Sequence, residues 1–188
     1  MTVKTGIYLM VGMLFATVLA SCARGAQVSD NAMLKPGDKI GDMTVTEHPN
    51  IKKYPDIFTF CIHPPEETEP GSWTMDCDMP FNPTVQFSVG WGAKDLATTD
   101  ANWNAMAWEL YIDGYQIDLE AFGKRNDRYR QGADNIYFRS WVIDLNNITP
   151  GSHTVRYLWK SEIPIDDGWN VYAPGTYEFI ANFTVKDK

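Results

Sequence analysis

Cysteine and histidine are scarce in this chain, three of each in 188 residues, and their scarcity removes whole chemistries. His48, His63 and His153 are scattered, with no H-E-x-x-H or similar helical spacing to frame a zinc hydrolase centre. No G-x-S-x-G elbow marks a serine nucleophile, and no Gly-rich loop could cradle a phosphate. The D-x-D-x-D-G ladder of a calcium loop is missing as well. Nothing in the sequence calls for a cofactor. Positive charge is in deficit: 16 Lys and Arg stand against 24 Asp and Glu, a net charge of −8. Such a chain repels phosphate backbones, so nucleic acid is not an expected partner. The basic cluster Lys124-Arg125 with Arg128 and Arg130 reads as a solvated loop or strand end. Long helical periodicity is absent; only Asp95 to Met106 could wind, for a turn or two at most. No internal repeat is evident.

What the chain does contain is alternation. Val85, Phe87, Val89 and Trp91 interleave with Gln86, Ser88 and Gly90, the period of two that marks a half-buried strand. Trp108, Leu110 and Ile112 repeat the pattern, Asp113-Gly114 supplies a hairpin turn, and Tyr115 to Leu119 returns. Met43 to Thr46, Ile57 to Ile62 and Ile136 to Leu145 read as further strands. Pro150-Gly151 leads into Val155, Tyr157 and Trp159, and Pro174-Gly175 into Tyr177, Phe179, Ala181, Phe183 and Val185. About eight strands in a chain of this size predict an all-β fold, an antiparallel two-sheet sandwich. Pro36-Gly37-Asp38 is a turn signal and sets the expected start of the folded domain, 36–188.

The N-terminus has a different texture. Lys4 precedes an apolar run from Gly6 to Val18, too short for a comfortable membrane span, and Leu19-Ala20-Ser21-Cys22 follows at its end. These four residues resemble the lipobox of bacterial lipoproteins. The resemblance implies a signal peptide over 1–21, cleavage before Cys22, and a diacylglycerol thioether with an acylated amino group on that cysteine. Several acyl chains hold a protein firmly, each buried CH₂ adding about 0.8 kcal/mol. Residues 22–35, small and polar, then read as a flexible tether. The implied location is the extracytoplasmic side of a cell membrane or outer membrane, and the membrane becomes a partner through Cys22.

With Cys22 assigned to lipid, Cys61 and Cys77 remain. An even pair in an oxidising compartment predicts a disulfide, closing a loop of about 15 residues and stabilising the fold by roughly 3 kcal/mol. Two buried thiols are the alternative reading; a metal site built with His63 lacks zinc spacing.

The segments Ile148 to Val155 and Pro174 to Phe179 are similar to the late strands of bacterial immunoglobulin-like and fibronectin-like domains, where a Pro-Gly turn opens a strand. That likeness covers roughly residues 84–188 and concerns fold alone. The chain departs from the antibody pattern in two places. Cys61 and Cys77 are too close in sequence for the inter-sheet bridge, and Thr154 stands where a tyrosine corner would have its Tyr.

Seven tryptophans invite a binding role. Trp91, Trp108, Trp141 and Trp159 fit a core. Trp73, Trp103 and Trp169 sit in polar, turn-rich stretches and are the candidate ligand-binding residues, for instance as platforms that stack on sugar C–H faces. Asp166 and Asp167, followed by Gly168, are candidate metal ligands for calcium, against a plain solvated turn. Glu109, Asp113, Asp118 and Glu120 could supply a carboxylate pair for an exported hydrolase, as could those of any acidic β protein. The sequence therefore predicts a non-catalytic, lipid-anchored binding or structural module of the cell envelope. A glycan or another envelope protein is its expected partner.

Overall fold

Alternation in the sequence becomes alternation of burial along the longest strands. The computed structural model describes residues 32–48, 54, 56–62, 68–79, 84–132 and 134–186. The lipobox with Cys22, His63 and the tether up to residue 31 lie outside them. Twelve strands are present among the described residues: β1 (Lys39–Ile40), β2 (Met43–Glu47), β3 (Gly71–Cys77), β4 (Thr84–Ala93), β5 (Met106–Ile112), β6 (Tyr115–Gln116), β7 (Lys124–Gln131), β8 (Asp134–Asn146), β9 (Gly151–Ser161), β10 (Ile165–Asp166), β11 (Val171–Tyr172) and β12 (Gly175–Val185). Eight of them are longer than two residues.

They form two five-stranded sheets and a small ribbon. One sheet runs β1-β2-β8-β4, with β7 paired to the far half of β8; the other runs β3-β12-β9-β5-β6; β10 pairs β11. The architecture is an all-β sandwich. Its second sheet stacks inward-facing residues in rows: Trp108, Trp159 and Tyr177 lie abreast, then Leu110, Tyr157, Phe179 and Trp73, then Ile112, Val155, Ala181 and Met75. The first sheet answers with Val85 opposite Leu145, Phe87 opposite Ile143 and Val89 opposite Trp141, all buried. Burial of side chains this large is the main stabilising term.

Asp113 and Gly114 take φ of 48° and 83°, the doubly left-handed backbone of the type I′ turn that an Asp-Gly pair favours. Gly90 is required for a different reason. A Cβ there would lie 2.1 Å from the carbonyl oxygen of Arg139 on the neighbouring strand.

Several expectations are corrected. The run from Ile57 to Ile62 is not a strand: Ile57–Phe60 is a 3-10 turn, begun by Asp56, whose Oδ1 accepts from the N–H of Phe58 at 3.0 Å. A short local hydrogen bond outcompetes β propensity there. The helix is longer than a turn or two. α1 spans Leu96–Ala105, with Asp95 as N-cap accepting from Thr98 N–H at 2.9 Å. Not every pairing is antiparallel, since β3 runs parallel to β12 from Gly71↔Tyr177 to Cys77↔Phe183. The basic cluster is a full strand, β7, on the edge of its sheet. Just ahead of Pro36, Leu34 is buried, its N–H donates to Gln116 O at 2.8 Å, and its carbonyl accepts from Asp118 N–H at 2.8 Å.

Candidate functional site

A groove of about 530 Å³ opens where β4, the β7–β8 ribbon and the loop joining β10 to β11 meet. Each element contributes for a local reason. On β4, Gly92 leaves the floor bare; a Cβ would approach Phe138 at 3.0 Å and Ile136 at 3.1 Å. From the ribbon come Tyr129 and Phe138, whose rings meet edge to face at 6.5 Å, with Asp134 exposed at the tip. The loop supplies Trp169.

That loop is built around one carboxylate. Asp167 is 6% exposed. Its Oδ1 accepts from the N–H groups of Trp169 and Asn170, both at 2.7 Å, and its Oδ2 from the Tyr172 hydroxyl at 3.1 Å. Its carbonyl accepts from Lys94 N–H at 2.9 Å, which ties the loop to the end of β4. Asp166 Oδ1 accepts from Gly168 N–H at 2.8 Å, where φ is 93°. The Asp-Asp-Gly stretch is thus a self-bonded turn that aims Trp169 outward.

These contacts favour the plain turn over calcium at Asp166 and Asp167. A cation needs free oxygen lone pairs converging on one point. The Asp167 oxygens instead face hydrogen-bond donors, and no group of three His, Cys, Asp or Glu converges among the described residues.

The three candidate tryptophans separate. Trp169 is 42% exposed and borders the groove. Trp73 lies on β3, half-buried, stacked on Phe179 at 5.1 Å and Tyr177 at 6.0 Å. Trp103 is on α1, buried against Trp141 at 4.5 Å. The polar residues around these two had suggested loops. In the structure Ser72 and Thr74 are the outward positions of β3 beside the inward Trp73, and Trp103 is buried on α1 together with the polar Thr99 and Asn102. Trp91, read as core, is buried, yet it also borders the groove, and its indole N–H has no acceptor among the described residues. Tyr129 was not singled out by the sequence reading. It is 48% exposed on a strand dominated by charge, and that isolation was its only signal.

The carboxylates offered for hydrolysis each have another partner. Glu109 accepts from the Tyr111 hydroxyl. Asp113 accepts from Thr154 N–H and faces His153 Nδ1, each at 2.8 Å. Asp118 pairs with Lys35 at 3.8 Å and Glu120 with Lys124 at 2.7 Å. Two of the histidines are structural: His153 as just described, with Nε2 on Thr149 O at 2.8 Å, and His48, whose Nδ1 meets Asp144 Oδ1 at 2.8 Å. Burial pushes the Asp144 carboxyl above its ordinary range, against the opposing pull of the His48 hydrogen bond. Cys61 and Cys77 are joined in a disulfide.

Fold and groove together define a β-sandwich with an aromatic-walled cleft where β4, the β7–β8 ribbon and the β10–β11 loop meet. No protein-family model matches the sequence, and no curated protein matches it. Two solved structures are loosely similar. PbICP-C, solved in complex with falcipain-2, aligns with TM-score 0.33 and 14% identity over 64% of this chain and 93% of its own. The cysteine protease inhibitor EhICP2 from Entamoeba histolytica aligns with TM-score 0.23 and 10% identity over 61% and 95%. Likenesses this loose do not extend to what those proteins bind.

Proposed function

We propose that this protein is an exported lipoprotein, anchored through lipid on Cys22 to the extracytoplasmic face of a bacterial membrane, whose sandwich is a non-catalytic glycan-binding module. The anchor reading is supported by Leu19-Ala20-Ser21-Cys22 at the end of an apolar run and agrees with a disulfide elsewhere in the chain. One observation carries the binding half: Trp169 and Tyr129, 42% and 48% exposed, border one groove with Phe138. Large exposed rings cost hydration free energy that a stacked ligand recovers. A sugar ring offers an apolar C–H face to the indole and the phenol ring. Its hydroxyls donate to the exposed Asp134 carboxylate. A pocket of several hundred Å³ accommodates two or three such rings.

The test has two parts. Cys22→Ala is expected to move the protein from the membrane fraction to the soluble one; continued retention overturns the anchor. Tryptophan fluorescence against a panel of neutral oligosaccharides is expected to show saturable binding that Trp169→Ala abolishes. No response to any glycan, or a response that Trp169→Ala and Tyr129→Ala leave intact, overturns the groove as a glycan site.

A further inference from the structure

We propose that the pocket walled by Trp103, Trp108 and Trp141 is a second binding site, one that takes a small organic carboxylate with a flat apolar body. It shares no residue with the groove above. The three indoles pack on one another with centroids 4.5–6.1 Å apart, and they border a cavity of about 460 Å³. That is room for a molecule of one or two fused rings.

Two features call for acceptor oxygens. The indole N–H groups of Trp108 and Trp141 are both buried without a partner among the described residues. A buried donor left unpaired is costly to the fold, and both donors belong to rings that border the cavity. The nearby carboxylates are directed elsewhere: Asp118 pairs with Lys35 at 3.8 Å, and Glu120 with Lys124 at 2.7 Å. The second feature is charge. Lys124 Nζ stands 5.5 Å from the centre of the Trp141 ring, at the start of β7, which carries Lys124, Arg125, Arg128 and Arg130 against the single acid Asp127. In an acidic protein this strand is a local positive field. The Lys124–Glu120 pair is exposed, with side chains 39% and 72% accessible. Such a pair contributes little, so Glu120 can turn to water when a carboxylate takes its place. Flat indole walls favour a flat partner.

The probe is 1-naphthoate, added to the full-length protein in detergent with its tryptophans labelled with nitrogen-15. The Trp108 and Trp141 indole N–H resonances are expected to move saturably, with Trp108 assigned through Trp108→Phe, while Trp169 stays in place. Lys124→Gln, a surface change that spares the core, is expected to weaken naphthoate about tenfold and leave neutral 1-naphthamide unaffected. The site is refuted if neither indole resonance moves, if only Trp91 or Trp169 responds, or if Lys124→Gln binds naphthoate as well as the parent. A failed glycan titration at the groove has no bearing on these resonances, so the two readings stand or fall separately.

Discussion

Asp167 Oδ1 accepts the backbone N–H of Trp169 at 2.7 Å, so an almost fully buried carboxylate sets the direction of an exposed ring. The same carboxylate also takes Asn170 N–H and the Tyr172 hydroxyl. Hydrogen bonds to a charged acceptor are each worth about 1.5–3 kcal/mol. Asp167→Ala is therefore expected to lower stability by about 2–4 kcal/mol, by loss of this network, and to release the Trp169 loop. Denaturant unfolding measures the first effect. Faster amide exchange confined to residues 167–172 identifies the second, and unchanged exchange there would show that the loop is held by something else.

Two glycines two residues apart on β4 predict opposite outcomes. A Cβ at Gly90 meets the Arg139 carbonyl oxygen at 2.1 Å, a backbone atom that moves only with its strand. A Cβ at Gly92 meets the side chains of Phe138 and Ile136 at 3.0 and 3.1 Å, and these are half-exposed and able to give. Gly90→Ala is expected to cost about 2–3 kcal/mol through strand displacement. Gly92→Ala is expected to cost under about 1 kcal/mol and Gly92→Leu to fill the groove floor, abolishing glycan binding with the fold intact. Thermal unfolding and glycan titration separate the two positions, and equal destabilisation at both sites would contradict the geometry.

How much of this was legible beforehand depends on the range of the interactions involved. Strands β4, β5, β9 and β12 were readable because period-two burial is written into consecutive residues such as Val85, Phe87 and Val89. The Asp113-Gly114 turn was readable because its backbone conformation is local. Trp73 and Trp103 were misplaced because their burial comes from partners far along the chain: Phe179 for Trp73, Trp141 for Trp103. The parallel pairing of β3 with β12 spans over a hundred residues and leaves no local mark. The tie missing at Thr154 is supplied elsewhere. The Tyr177 hydroxyl donates to Ala173 O at 2.9 Å and Thr68 O at 2.6 Å, and no spacing rule would have selected it. The aromatic groove is likewise an assembly of three distant segments.

Two carboxylates should give the stability curve opposite slopes in acid. Asp144 is buried, so its folded carboxyl holds its proton above the ordinary value of 3.8. The folded state then binds more protons, and the contribution falls as pH rises from the unfolded pKa through the folded one. Glu178 accepts hydrogen bonds from Ser72 and Arg156, which hold it below its ordinary 4.5. Its contribution is present above that value and is lost as pH falls through the lowered one. Asp144→Asn is therefore expected to remove a loss of stability on going from acid toward neutral pH. Glu178→Gln is expected to remove a gain over the lower part of that range. Urea unfolding of both variants from pH 3 to pH 7 checks the signs, and the same slope change in both would contradict them.

The disulfide between Cys61 and Cys77 carries the last prediction. It joins the residue after the 3-10 turn to the end of β3, where Asp78 N–H also donates to Phe60 O at 3.1 Å and Ile62 N–H to Asp76 O at 3.2 Å. Those two hydrogen bonds hold the segment against the free edge of β3. Cross-linking a loop of this length stabilises by roughly 3 kcal/mol in the chain-entropy account. Cys61→Ser with Cys77→Ser is expected to cost about that much, with most of the loss felt as fraying of residues 56–62. Intact mass without reductant should show the parent lighter than its reduced form by the two hydrogen atoms lost in forming one bridge. A double variant as stable as the parent would mean that the two backbone hydrogen bonds, and not the bridge, hold this edge.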